Sequence, residues 1–106
     1  MDTNRDAGRW VALGDGTRLA IVARLADGPQ AVGQLAAGLP VSRSAVSQHL
    51  KILKDAGLVE DAAEGTRRID RLNPVALAAL RDQLDTYWQR ALAGYADAAH
   101  APDEEG

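Results

Sequence analysis

PVSRSAVSQHLKILKDAGLV, residues 40–59, decides the fold. Ser42 is suited to N-cap a helix, with Val41 before it and Val46 after it placed as a hydrophobic staple, and Gly57 is suited to end that helix. Between those points Val46, Leu50 and Leu53 recur at i, i+4 and i+7 and share one stripe, while Ser44, Ser47, Gln48 and Lys51 fall on the opposite face. An ordinary solvent-facing helix mixes Glu with Lys. A face of hydroxyl, amide and basic groups can instead donate to base edges and phosphates in a major groove.

Upstream, Val32, Leu35, Ala36 and Leu39 repeat at i, i+3, i+4 and i+7, which predicts a shorter helix over 31–38, ended by Gly38. Ser42 follows four residues later, the tight spacing of a helix-turn-helix over about 31–56. Before it, Trp10, Val11 and Leu13 suggest a first helix closed by the Gly14-Asp15-Gly16 break. Asp15 or Thr17 then caps a second helix, with Leu19, Val22 and Leu25 on one side and Gly28-Pro29 as its stop.

Downstream, a hairpin is expected over about 58–72: Leu58 and Val59 start a strand, DAAEGT at 61–66 supplies a turn, and RRIDRL at 67–72 returns. Ile69 and Leu72 have opposite parity and cannot both point inward from a regular strand, so a bulge, or a strand ending at Arg71, is expected. Asn73-Pro74 is a strong helix start, Asn as N-cap and Pro at the first helical position. The run from Val75 to about Ala99 would extend about 37 Å at 1.5 Å per residue, longer than a compact domain of this size needs. Leu77, Leu80, Leu84, Tyr87 and Ala91 form one apolar ridge on it, and Trp88, Leu92 and Tyr95 a second. Two ridges on a projecting helix ask for a partner, so a homodimer is expected through these residues together with Trp10 of the first helix.

The expected class is therefore mainly α: a winged helix-turn-helix of five helices and a two-stranded wing. It forms one domain over 1–100, with a dimerisation helix at about 74–99 and a disordered acidic tail at 101–106. The 106 residues suffice for one core and not for two. With no Phe and only 4% aromatics, that core must be built from Leu, Val, Ile and Ala. The absence of cysteine removes disulfides, thiolate nucleophiles and sulfur-dependent zinc sites. No signal segment or membrane span is visible, so no membrane partner is expected.

A net charge of −3 looks wrong for a DNA binder until it is divided along the chain. Residues 42–72 hold six Lys or Arg against five acids, whereas residues 73–106 hold two Arg against six acids. The acidity belongs mostly to the far end of the chain.

In LGDGTRLAIVARL at 13–25, VSRSAVSQHLKILKDAGLV at 41–59 and EGTRRIDRLNP at 64–74, the chain resembles the ArsR/SmtB family of bacterial transcription regulators. The specific part is SxHLKxLxxAGLV, far more restrictive than a generic helix-turn-helix pattern. The resemblance implies a cytoplasmic bacterial protein, nucleoid-associated when bound, acting as a dimeric and often self-regulating repressor on an imperfect palindromic promoter or operator site in double-stranded DNA. Carried over position by position, it puts Ser44, Ser47, Gln48 and His49 near bases or phosphates. Arg43, Lys51 and Lys54 become candidate phosphate partners, and Arg67 and Arg68 in the wing would reach an adjacent minor groove or backbone. Asp70 departs from the family pattern, in which an aromatic is frequent there. His49 stays open between DNA contact and a place at the core edge, since it shares a helix side with Ala45 and Ile52.

Family members often sense metals, and their thiolate site is absent here. A second family site uses Asp, His and Glu of the last helix. Asp97 and His100 are the candidates, at i, i+3, with Asp82 or Asp85 of a partner chain as possible completions. The paired Asp-x-His element is missing, because Asp85 is followed by Thr86 and Tyr87, so neither a metal nor a cofactor is expected. No catalytic motif is present, which argues against an enzyme. Two other readings remain: a winged-helix adaptor used for protein contacts or dimerisation without specific DNA binding, and a metal-responsive repressor using the last-helix ligands. No residue pattern specifies an effector.

Overall fold

The helix read from residues 40–59 sits at the centre of the molecule. The computed structural model describes the backbone of residues 3–100 and the side chains of residues 7–98. The expected acidic tail at 101–106 lies outside the described residues, as does the side chain of His100. The elements are α1 Thr3–Ala12, α2 Gly16–Ala26, α3 Val32–Ala37, α4 Arg43–Asp55, β1 Val59–Glu64, β2 Arg67–Leu72 and α5 Pro74–His100. This is a mainly helical winged helix-turn-helix, with five helices and a two-stranded antiparallel wing.

α4 begins as its sequence suggests. Ser42 Oγ accepts from the Ala45 amide at 3.0 Å, and Val41 packs against the core that contains Val46. Its end is a Schellman turn. Gly57 has φ +79, its amide donates to the Lys54 carbonyl at 2.9 Å, and the Leu58 amide reaches back to the Leu53 carbonyl at 2.9 Å. Leu53 and Leu58 both bury completely, so the turn that stops the helix also packs the base of the wing.

Val46, Leu50 and Leu53 meet Ile21, Leu25 and Leu35 from the preceding helices, and Leu58, Val59, Ala76 and Leu80 from the following elements. Burying each large aliphatic side chain contributes roughly 1.5–3 kcal/mol. In α2 the inward pair is Ile21 and Leu25, one helical turn apart, with Val22 partly buried; Leu19, expected inside, is half exposed. The apolar cluster of α2 allows two stripes, and packing against the α4 residues of the core takes the one with Ile21 and Leu25, while Asp15 caps the start of the helix through the Arg18 amide.

The hairpin is longer and more regular than expected. Asp61 to Glu64 belong to β1, and the turn is only Gly65-Thr66, with Gly65 at φ +65 as the tight two-residue turn demands. Pairing runs without interruption from Val59↔Leu72 to Glu64↔Arg67, so the expected bulge does not form. The parity conflict disappears because Asp70, and not Ile69, faces inward with Leu72; Asp70 is 5% exposed. Gln30 and Asp70 exchange both backbone hydrogen bonds, at 3.0 and 2.8 Å, which ties β2 to the segment before α3.

Asn73 starts α5 by accepting from the Val75 and Ala76 amides, and its own amide nitrogen donates to the Gly57 carbonyl at 3.2 Å. Leu80 is buried within its own chain and Leu77 packs against the same core. The apolar ridge alone places both at a subunit interface, whereas the structure puts them against their own core. They sit in the first two turns, where the body of the domain covers the helix. Trp10 is half-buried and its indole nitrogen donates to Gln83, joining α1 to α5. Beyond Gln83 every described side chain of α5 is exposed, including Leu84, Tyr87, Trp88, Ala91, Leu92 and Tyr95. Among the described residues no helix is long and apolar enough to cross a membrane.

Candidate nucleic-acid interface

The capped start of α4 aims its side chains in two directions. Val46, Leu50 and Leu53 enter the core, whereas Arg43, Ser44, Ser47, Gln48 and Lys51 are exposed. Among the described residues, the side chains of Ser44, Ser47 and Gln48 have no intramolecular hydrogen-bond partner, and the Arg43 guanidinium has no ion pair. Lys51 differs, since its ammonium meets Asp55 at 3.0 Å one turn later on the same exposed face. An exposed i, i+4 pair of this kind contributes about 0.3–0.5 kcal/mol and exchanges readily for another anion.

His49 lies at the core edge. Its Nδ1 is 3.3 Å from the Arg18 guanidinium and 3.8 Å from the Asp15 carboxylate, and its side chain is 23% exposed. Arg18 also donates to the Ala12 carbonyl at 2.6 Å, so the cluster joins α4 to the α1–α2 corner. The Arg18 amide, donating to the Asp15 carboxylate, holds that carboxyl below its ordinary range, and the charges of Arg18 and His49 add to the effect.

Lys54, expected at a phosphate, points toward the wing. Its ammonium is 3.0 Å from Asp61 and 3.1 Å from Asp70. Partial burial alone would pull this lysine down, but its hydrogen bonds to Asp61 and Asp70 outweigh that and hold it above the ordinary value. Asp61 is held below the usual carboxylate range by hydrogen bonds from Lys54 and then Arg68. Arg68 itself is exposed and meets Asp61 at 3.0 Å, while Arg67 reaches across to the Gln34 side-chain oxygen at 3.4 Å. Gln34 is preoccupied, since that oxygen also accepts from the Ala31 amide at 2.8 Å.

Asp61 is a residue of this site that the sequence does not mark, and Asp70 is marked there only as a departure in the wing, without its partner Lys54. A charge on the inward side of a strand carries no signal of its own in the alternation, and its partner lies across a chain reversal.

Arg43, Ser44, Ser47, Gln48 and Lys51 thus form one continuous exposed surface on α4, with Arg67 and Arg68 on the adjacent wing. His49 instead meets the α1–α2 corner and Lys54 the wing. No group of three or more His, Cys, Asp or Glu suited to hold a metal occurs among the described residues; Asp97 is exposed, and the His100 side chain lies outside them.

Known proteins share this architecture. Residues 15–61 match the family model described as bacterial regulatory protein, arsR family. The HTH-type transcriptional regulator Rv2034 of Mycobacterium tuberculosis is 64% identical over 97 residues, which covers 91% of each chain. Among solved structures, an ArsR-like transcriptional regulator from Rhodococcus sp. RHA1 superposes with a TM-score of 0.75 at 31% identity, covering 93% of this chain and 96% of that one. The homodimeric winged helix-turn-helix DNA-binding domain of Mb0332 from Mycobacterium bovis does so with a TM-score of 0.64 at 30% identity, covering 93% and 88%. With an exposed polar helix beside a wing that carries Arg67 and Arg68, and with relatives matching across nearly its whole length, the chain belongs to the ArsR family of bacterial transcriptional regulators: a DNA-binding winged helix-turn-helix protein, not an enzyme.

Proposed function

We propose that the chain acts as a homodimeric repressor on an imperfect palindromic operator, each α4 entering one of two successive major grooves about one helical turn apart. The observation that carries this reading is the unpartnered polar face of α4. Ser44, Ser47 and Gln48 offer hydroxyl and amide groups that no described residue uses, beside an Arg43 free to meet a phosphate. In this reading the Gln48 amide pairs with an adenine edge, Ser44 and Ser47 meet neighbouring bases, and Arg43 and Lys51 contact phosphates. Lys51 would exchange Asp55 for the duplex backbone. Arg67 and Arg68 reach the adjacent minor groove or backbone. His49 serves the α1–α2 corner instead of the groove.

The second copy is supported by the far half of α5. Leu84, Tyr87, Trp88, Leu92 and Tyr95 are 43–76% exposed there, an apolar surface too large for one chain to leave in water. A groove of about 530 Å3 between Leu84, Tyr87, Trp88 and Ala91 offers a place for a partner's side chains. The homodimeric Mycobacterium bovis relative supports the same assembly for this chain.

Selection of bound fragments from the source genome by the purified protein tests the proposal. A short two-fold motif recovered at physiological salt, near promoters, is the expected result. No enrichment at that salt would overturn it in favour of a winged helix used for protein contacts.

A further inference from the structure

We propose that Lys54 is a positioning residue: by sharing its ammonium between Asp61 and Asp70 it fixes the wing against the last turn of α4, so that helix and wing meet one duplex in a set relation. The inference rests on the DNA-binding reading of α4 and the wing.

Asp61 and Asp70 are directly opposite each other in the hairpin. Like charges at opposed cross-strand positions repel, so an isolated hairpin would be destabilised by this pair. The repulsion is resolved from outside the wing, by a cation that α4 delivers at 3.0 Å from one carboxylate and 3.1 Å from the other. Asp70 is the only charged residue that is buried among the described residues, and both its backbone N–H and its C=O are bonded to Gln30. Its carboxylate therefore cannot swing out to water and needs a partner where it stands.

The space beside this cluster is loosely filled. A cleft of about 170 Å3 lies between the helices and the wing, with Val32 of α3 and Ser47 and Leu50 of α4 on one side and Asp61, Arg68 and Asp70 of the wing on the other. Apolar packing does not close that gap. Lys54 bridges it from a half-buried site at the far end of α4, away from the exposed face of Ser44 and Gln48.

A purely structural role and a positioning role separate in the double variant Lys54→Met, Asp70→Leu. Replacing a buried pair by apolar groups restores stability lost when one partner alone is removed, but it takes away the cation that fixes the wing to the last turn of α4. The chain has no native cysteine, so Ser44→Cys and Thr66→Cys give unique spin-label sites on α4 and on the wing tip. Labelled protein diluted into excess unlabelled protein reports the distance within one protomer. The parent should give a narrow distance distribution, the double variant a broad one at equal melting temperature, and Lys54→Arg a narrow one.

On a duplex selected by the parent protein from a random 40-base-pair pool, the double variant should bind on the order of ten-fold more weakly. Arg67→Ala, which weakens the parent, should then cost nothing further in the double variant. An unchanged narrow distribution would overturn the proposal whatever the DNA result. A parent that selects no duplex would overturn the DNA-binding reading instead, leaving the distance distribution to decide whether Lys54 holds the wing.

Discussion

α4 and the wing are neighbours in the chain and treat their polar groups in opposite ways. Along α4, Ser44, Ser47 and Gln48 stand exposed without partners, and Lys51 is held only by a surface pair with Asp55. In the wing the charges are already engaged: Asp61 accepts from both Lys54 and Arg68, and Asp70 forms an ion pair with Lys54. The helix offers short neutral groups whose direction is set by a rigid backbone, which suits reading the edges of bases. The wing offers long charged side chains held by internal anions, which suits a contact exchanged for phosphate without regard to sequence. The modest basic excess of residues 42–72 follows from this arrangement, since much of the positive charge there has a local counter-charge.

The harshest test of the comparison removes the second copy of both regions together. Leu84→Asp with Trp88→Asp should give monomers by sedimentation and lower operator affinity at least a hundred-fold, the usual scale of lost bivalency. A dimer that survives both changes would move the interface away from α5.

Lys54→Met alone should lower stability by about 1–3 kcal/mol in urea unfolding, because it leaves the buried Asp70 carboxylate without its cation. Truncating Gln48, whose side chain has no partner to lose, should leave the unfolding midpoint unchanged. A stability loss at Gln48 matching that at Lys54 would erase the distinction between the two regions.

Arg67→Ala should weaken binding alike on all sequences and flatten the salt dependence by about one counterion. Sequence-dependent loss would show instead that the wing reads bases. The smallest effect concerns pH. Asp61 has a lowered folded-state pKa, so its contribution to stability is present above the ordinary aspartate range and is lost as pH falls through the lowered value. Thermal unfolding between about pH 5 and pH 2 should show this acid loss diminished in Asp61→Asn, and an unaltered profile would mean that the wing pairs contribute nothing.

Much of this was legible in the residues. The cap at Ser42, the stripe Val46, Leu50 and Leu53, the stop at Gly57 and the start at Asn73-Pro74 are local signals, each decided by neighbours within a few positions. The errors have one physical origin, since they involve choices that only tertiary contacts make. Leu19 and Ile21 are equally apolar, and the packing of α2 on α4 brings Ile21 inside. Leu80 continues the ridge of Leu84 without a break, yet the body of the domain covers one and not the other. A carboxylate at position 70 reads as outward-facing until a lysine sixteen residues earlier is known to meet it. On the α4 surface, hydroxyl and amide groups without Glu were themselves the signal. His49 and Lys54 shared the helix with them, and only their partners on α2 and the wing separate the two residues from that face.

The most direct test of the central claim, that α4 reads bases while the wing only holds the backbone, is a fluorescence anisotropy titration at one salt concentration. Parent and Gln48→Ala proteins are compared on the selected duplex and on a shuffled duplex of equal composition. The account predicts that Gln48→Ala costs about 1–3 kcal/mol on the selected duplex and leaves the shuffled one unchanged, so that the preference between them collapses. Equal loss on both duplexes, or no loss on either, would contradict it.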